Sequence, residues 1–175
     1  MSTPALLADH CDPAWLDPPE PGWLRLLRPA TAALAGATFL PEAPSDRLTV
    51  RYFRRATDRA LLGRVWFGPA SQGPPGYAHG GAVAALLDEA MGAATYLWRG
   101  RALLTARLEV DFRRPLPVRS LALVEAQVIR DEGRKLITQA RLLTAAQVEV
   151  AQAQGLYVEP REAIAWQPFL LEQGD

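Results

Sequence analysis

Gly73-Pro-Pro-Gly-Tyr-Ala-His-Gly-Gly81 runs directly into Ala82-Val-Ala-Ala-Leu-Leu-Asp-Glu-Ala-Met-Gly92. The first run is too rich in Gly and Pro to be helix or strand. From Ala82 to Leu97, Ala, Leu and Met dominate and proline is missing, which predicts the one long helix of the chain. Glycines just ahead of a helix let a ligand approach the backbone closely. The first-turn N–H groups there lack intrahelical partners and sit at the positive end of the helix dipole. Gly80 and Gly81 are therefore placed to hold an oxyanion, although a Gly-Gly pair also serves simply as a tight turn. Inside the helix, Asp88 lies among apolar residues, and a buried unpaired carboxylate costs on the order of several kcal/mol, so Asp88 needs a polar partner or a wet cleft. Its helical neighbours Ala84, Ala85, Met91 and Gly92 are mostly small and leave room beside it for a ligand or a partner chain. Glu89 points about 100° away round the helix, so the two acids cannot share one task. On the residues alone, Asp88 is preferred only modestly.

The flanks of this segment read as strands. Leu48-Thr-Val-Arg-Tyr-Phe-Arg-Arg55 and Leu61-Leu-Gly-Arg-Val-Trp-Phe67 are short β-rich runs that form an antiparallel hairpin. After the helix, residues 103–112, 120–130, 135–143 and 148–158 alternate in part and are separated by turns at 115–119, 131–134 and 144–147. Two strands, one helix and a meander of four strands predict an α+β chain, an antiparallel sheet wrapped around one long central helix. In outline this is the hotdog fold. It occupies residues 46–160, with a proline-rich extension over 1–45 and a tail over 161–175. The extension carries Trp15, Trp23, Leu24, Leu26 and Leu27, too apolar for a solvated tail, and is expected to pack on the domain as a short helix and strap. Residues 31–40 could add a helical turn or two.

Composition narrows the function. Nineteen basic residues balance nineteen acidic ones, so no general field gathers nucleic acid or anionic membrane. The apolar stretch from Gly80 to Trp98 carries Asp88 and Glu89 near its middle and reads as a buried helix, not a membrane span. With no basic, apolar leader at the start, the cytoplasm is the expected location. Cys11 is the only cysteine and His10 and His79 the only histidines, too few for a zinc site, and no metal or cofactor is expected. Cys11 beside His10 looks like a nucleophile pair, but adjacent residues seldom orient for that role.

The glycine-rich run, Leu86-Leu-Asp-Glu-Ala-Met-Gly92, Thr105-Ala-Arg-Leu-Glu-Val-Asp-Phe-Arg-Arg-Pro-Leu-Pro-Val118 and Glu132-Gly-Arg-Lys135 together resemble the PaaI-type hotdog thioesterases, closest to the branch of the carboxyl-terminal modulator protein. The resemblance covers residues 63–159 and implies an acyl-CoA thioesterase. It places the catalytic carboxylate on Asp88, nine positions after His79, and the His-Gly-Gly motif on His79, Gly80 and Gly81, where a backbone N–H polarises the thioester carbonyl. A Ser or Thr that orients the carboxylate or its water, contributed by the facing subunit, falls on Thr105. Asp88 then acts as general base on water or as nucleophile. Gln72 stands seven positions before His79, where some members place an amide near the carbonyl, and its role stays open. Arg113, Arg114, Arg134 and Lys135 lie near turns and are candidates for the phosphates of coenzyme A. A site between subunits implies a homodimer, or two dimers stacked as a tetramer. Two other readings compete: a hotdog enoyl-CoA hydratase, and a non-catalytic acyl-CoA-binding module.

Overall fold

The computed structural model describes residues 11–17, 21–27, 39–40 and 43–165. Seven strands and one long helix follow in the order β1 (Trp23–Arg25), β2 (Leu48–Arg55), β3 (Leu61–Phe67), α1 (Gly80–Arg99), β4 (Leu104–Phe112), β5 (Ser120–Asp131), β6 (Lys135–Thr144) and β7 (Glu149–Val158). All neighbouring strands are antiparallel, and the spatial order is β1-β2-β3-β5-β6-β7-β4. This is the hotdog arrangement.

Alternation builds the face that receives the helix. β5 buries Ala122, Val124 and Ala126, and β6 buries Leu136, Thr138, Ala140 and Leu142, while Glu125, Gln139 and Arg141 point to the other side. Many of the inward residues are alanines, which lets the helix sit close to the sheet. Val83, Leu86, Leu87, Ala90, Met91 and Ala94 of α1 fill that trough and form one core with it. The helix starts at Gly80, two residues earlier than composition suggests, because His79 caps it from outside. It stops at Gly100, whose φ of +69° is the left-handed conformation that glycine adopts without penalty.

Two topological expectations need correction. The four strands after the helix are not a simple meander. β4 crosses to the far edge and pairs with β7, while β5 pairs with β3. The helix lies between β3 and β4 in the chain, so the strand that leaves it emerges on the other side of the trough from β3 and completes the sheet from there. The proline-rich extension also supplies a strand: β1 pairs with β2 in the register Trp23↔Arg55 to Arg25↔Phe53. Three residues are short enough to fit between the prolines.

The segment ahead of β1 lies on the outer face of the sheet, whereas Leu26 and Leu40 reach the core that holds the helix. A 3-10 turn over Pro13–Leu16 places Cys11 and Leu16 on Trp66, with Trp15 stacked at 5.4 Å and tilted by 51°. Asp17 fastens it by an ion pair to Arg51 and by its carbonyl to the guanidinium of Arg64. Burial pulls the Arg64 pKa below its ordinary value, and Asp17 opposes that shift. Of the helical turn expected over residues 31–40, positions 31–38 lie outside the described residues.

Candidate active site

The loop ahead of the helix is built from its own hydrogen bonds. Ser71 Oγ donates to the Gly68 carbonyl at 2.7 Å, and Ser71 O accepts the N–H of His79 at 2.8 Å. The side-chain oxygen of Gln72 accepts the N–H of Gly76 at 2.9 Å, and the Gly73 N–H donates to Tyr77 O at 2.9 Å. Gln72 therefore organises this loop, with its carbonyl oxygen engaged there. A Cβ at Gly73 would come within 2.9 Å of His79 Cα, so glycine is what allows the loop to close against the histidine.

His79 sits at the helix N-cap. Its Nδ1 accepts the N–H of Gly81 at 2.8 Å, and a Cβ on Gly81 would stand only 2.9 Å from that nitrogen. An Nδ1 that accepts carries no proton, so the ring in this arrangement is the neutral tautomer with its proton on Nε2. Gly81 N–H is thereby occupied. Gly80 N–H, at the first helical position, has no acceptor among the described residues. Gly80 opens on a cleft of about 280 Å³ shared with Ala78, Val83, Phe112, Arg113 and Arg114. Phe112 is 56% exposed, and a Cβ on Gly80 would touch its ring at 3.5 Å, so the aromatic edge lies over the open N-terminus.

Asp88 lies two turns further along, half-buried on the face of α1 toward β4 and β7. Thr105 Oγ1 donates to Asp88 Oδ1 at 2.8 Å, and the hydroxyl of Tyr157 lies 2.8 Å from the same oxygen. The resemblance implied a hydroxyl from the facing subunit; here Thr105 reaches Asp88 within its own chain. A β-bulge makes this possible. Thr105 pairs with Tyr157 and Arg107 with Leu156, leaving Ala106 unpaired between them. Leu108 and Val110 turn toward the core, so strict alternation would send Thr105 outward with Arg107 and Glu109; the extra residue reverses the phase and aims Thr105 at the helix.

Tyr157 is absent from the residues singled out in the sequence. It is 1% exposed, and burial, followed by the charge of Asp88, holds its phenol well above its ordinary pKa. A signal exists in retrospect: Ala151, Ala153, Gly155 and Tyr157 share one strand face, and a large phenol that follows three small residues needs a buried partner for its hydroxyl.

Glu89 is half-buried and turns away from Asp88 toward the extension. Its Oε2 accepts the backbone N–H of Leu40 at 2.9 Å and its Oε1 lies 3.4 Å from the Tyr52 hydroxyl, so it anchors the extension to the domain. The four cationic candidates fall into two pairs. Arg113 and Arg114 flank the Gly80 cleft, Arg113 3.4 Å from Asp111 and Arg114 bonded to the Glu149 carbonyl at 3.0 Å. Arg134 and Lys135 stand at the other end, beside Val158 and the end of β7, where Arg134 bonds to the Glu159 carbonyl at 3.0 Å. Cys11 is buried in the outer cluster, and burial first, then Asp12, pushes its thiol up to about 11. It is far too weakly ionised at neutral pH to be a nucleophile. No cluster of His, Cys, Asp and Glu suited to a metal occurs among the described residues, and none of their helices is long and apolar enough to cross a membrane.

One distance shapes the chemistry. Gly80 and Asp88 are eight residues apart on one helix, about 12 Å along its axis at the usual rise. A single carbonyl cannot touch both within one chain.

Residues 75–151 match the family model of the thioesterase superfamily. Among curated proteins, the chain is 40% identical over 91 residues to acyl-coenzyme A thioesterase THEM4 of Xenopus laevis, covering 51% of this chain and 40% of that one. It is 45% identical over 69 residues to acyl-coenzyme A thioesterase THEM5 of Mus musculus, covering 39% and 27%. The chain thus spans well under half the length of these relatives. A crystal structure of a thioesterase superfamily protein superposes with a TM-score of 0.58 at 32% identity, over 63% of this chain and 56% of the other. The PaaI protein of E. coli superposes with a TM-score of 0.56 at 18% identity, over 64% and 82%, a likeness of fold.

Proposed function

We infer that this chain, a hotdog protein whose residues 75–151 match the family model of the thioesterase superfamily, hydrolyses an acyl-CoA thioester to a free acid and coenzyme A. The observation that carries the reading is the pairing of a carboxylate held by two hydroxyls, Asp88, with a helix N-terminus whose Gly80 N–H is unengaged among the described residues. Gly80 N–H donates to the developing oxyanion of the tetrahedral intermediate, with the helix dipole behind it. Asp88 either takes a proton from the attacking water or adds to the carbonyl to form a mixed anhydride that water then opens. In both routes the C–S bond breaks and coenzyme A leaves as a thiolate that takes up a proton. His79 holds the first turn in shape, and Arg113 and Arg114 are suited to the phosphates of the coenzyme.

The separation of about 12 Å between Gly80 and Asp88 supports a site shared by two chains. One copy supplies Gly80, and its two-fold mate supplies Asp88 with Thr105; symmetry then gives two such sites. Among the described residues β4 pairs only with β7, which leaves its outer edge open, and Leu104 and Phe112 stand 52% and 56% exposed along it. A homodimer is therefore the working unit of this reading, and a dimer of dimers is the next assembly compatible with it. Light scattering that finds an active monomer would overturn the shared site.

The test of activity is release of free coenzyme A, followed with a thiol reagent, over short-, medium- and long-chain and aromatic acyl-CoA esters. Hydrolysis by the wild type that collapses in Asp88→Asn, with acyl-CoA still bound, is the expected result. Binding without hydrolysis of any ester by the wild type would replace the enzyme with a binding module.

A further inference from the structure

Tyr157 sits at the centre of this site without a part in the reaction described above. Its ring fits between β7 and the helix only because Gly155 lacks a side chain: a Cβ there would lie 2.6 Å from the ring and 2.8 Å from Thr138 Oγ1. Gly92 receives the opposite ring edge, with a hypothetical Cβ at 3.6 Å. The hydroxyl then has two acceptors at one distance, Oδ1 and the backbone carbonyl oxygen of Asp88, each at 2.8 Å. Thr105, directly across the β4–β7 ladder, donates to that same Oδ1. Among the described residues no donor reaches Oδ2.

We propose that Tyr157 is a positioning residue which, together with Thr105, pins Oδ1 of Asp88 and leaves Oδ2 as the oxygen that meets the water or the carbonyl carbon. The proposal rests on the hydrolase reading and deepens it. Its chemistry follows from proton count. A phenol has one proton, and rotation about its C–O bond turns that proton from Oδ1 to the backbone carbonyl without moving the ring. While Asp88 is anionic, the phenol O–H points at Oδ1, where a charge-assisted hydrogen bond is the stronger choice. When Asp88 takes up a proton or an acyl group, the phenol turns to the backbone carbonyl and remains satisfied in its buried position. The carboxylate thus changes charge through the cycle while the group that orients it never becomes an unpaired buried donor. The bulge at Ala106 and the missing side chain at Gly155 serve this one geometry, the first by aiming Thr105 and the second by admitting Tyr157.

Tyr157→Phe tests the assignment, since it keeps the ring and its packing and removes only the hydroxyl. With an ester the wild type hydrolyses, kcat is expected to fall about tenfold or more, with KM within about threefold and a melting temperature lowered only by the loss of that hydrogen bond. A phenol that merely fills the core is equally well replaced by Phe, so kcat within twofold of the wild type overturns the proposal. The second measurement does not depend on turnover: a double-mutant cycle on thermal stability over Tyr157→Phe and Asp88→Asn. Non-additive losses show that the hydroxyl acts through the carboxylate, and additive ones overturn it. If the wild type hydrolyses no thioester, the hydrolase reading alone has failed, and this cycle decides whether Tyr157 holds Asp88.

Discussion

Nδ1 of His79 accepts the N–H of Gly81 at 2.8 Å, so the histidine of the His-Gly-Gly run faces inward on its own helix and leaves Gly80 as the exposed donor. The ring in that arrangement is a cap, a role asparagine fills well. His79→Ala is expected to lower stability by about 1 kcal/mol and to reduce kcat together with it. His79→Asn is expected to recover the stability and most of the rate. An Asn variant as inactive as the Ala one, at full thermal stability, would show that the ring itself moves a proton.

Asp88 and Glu89 are adjacent acids with different partners, and substitution separates them. Glu89→Gln keeps an oxygen for the Leu40 N–H and is expected to retain kcat within a few-fold. Glu89→Ala leaves that N–H without its partner, at roughly 1–3 kcal/mol, and loosens the extension. Limited proteolysis should then cut the extension sooner, while the hydrolysis rate per folded molecule stays near the wild type. A Glu89→Gln variant as dead as Asp88→Asn would assign the reaction to the wrong acid.

Arg113 and Arg114 are expected to bind coenzyme A through its phosphates. Replacing either with Ala should raise KM for an acyl-CoA by about tenfold, the usual weight of one charge-assisted hydrogen bond, and leave kcat little changed. An acyl thioester of pantetheine, which lacks those phosphates, should show no such rise. Equal losses on both substrates would mean that the arginines shape the cleft instead of reading charge. Arg134→Ala and Lys135→Ala, measured in parallel, report whether the other pair contributes.

Cys11 makes the packing of the extension sensitive to alkali. Its thiol ionises at about 11 in the folded protein against an ordinary 9.0, so the fold favours the protonated form. That contribution is fully present below pH 9, declines as pH rises from 9 toward 11, and then levels off. Thermal melting across this range should show a decline that is partly removed in Cys11→Ala, the raised phenols of Tyr157 and Tyr96 contributing to the remainder. At pH 7 the thiol should react with a disulfide reagent far more slowly than a free cysteine, and Cys11→Ala should hydrolyse thioesters at the wild-type rate.

Much of this architecture is legible in the chain because it depends on local chemistry. Glycines ahead of an Ala- and Leu-rich run announce a helix with an open N-terminus, and an acid inside that run stands out against its apolar neighbours. The alternating strands that follow require a cover on one face, and only one helix is long enough to supply it. What stayed hidden depends on contacts between residues far apart in sequence. The crossing of β4 to the edge beside β7 is a choice among pairings that all bury the same apolar face. The bulge at Ala106 has no mark in sequence, since one unpaired residue looks like any other until its partner strand is in place, yet it alone turns Thr105 toward Asp88. Tyr157 stands 69 residues from Asp88, and the void left by Gly155 that admits it exists only once β6, β7 and the helix have packed. The sequence by itself determined the helix, its polar entrance and the place of Asp88 in its apolar run, because backbone propensity and hydrophobic period act over a few residues. The tertiary structure decided which hydroxyls hold that acid and which oxygen it keeps free, because hydrogen bonds between strands and helix form only at the final register.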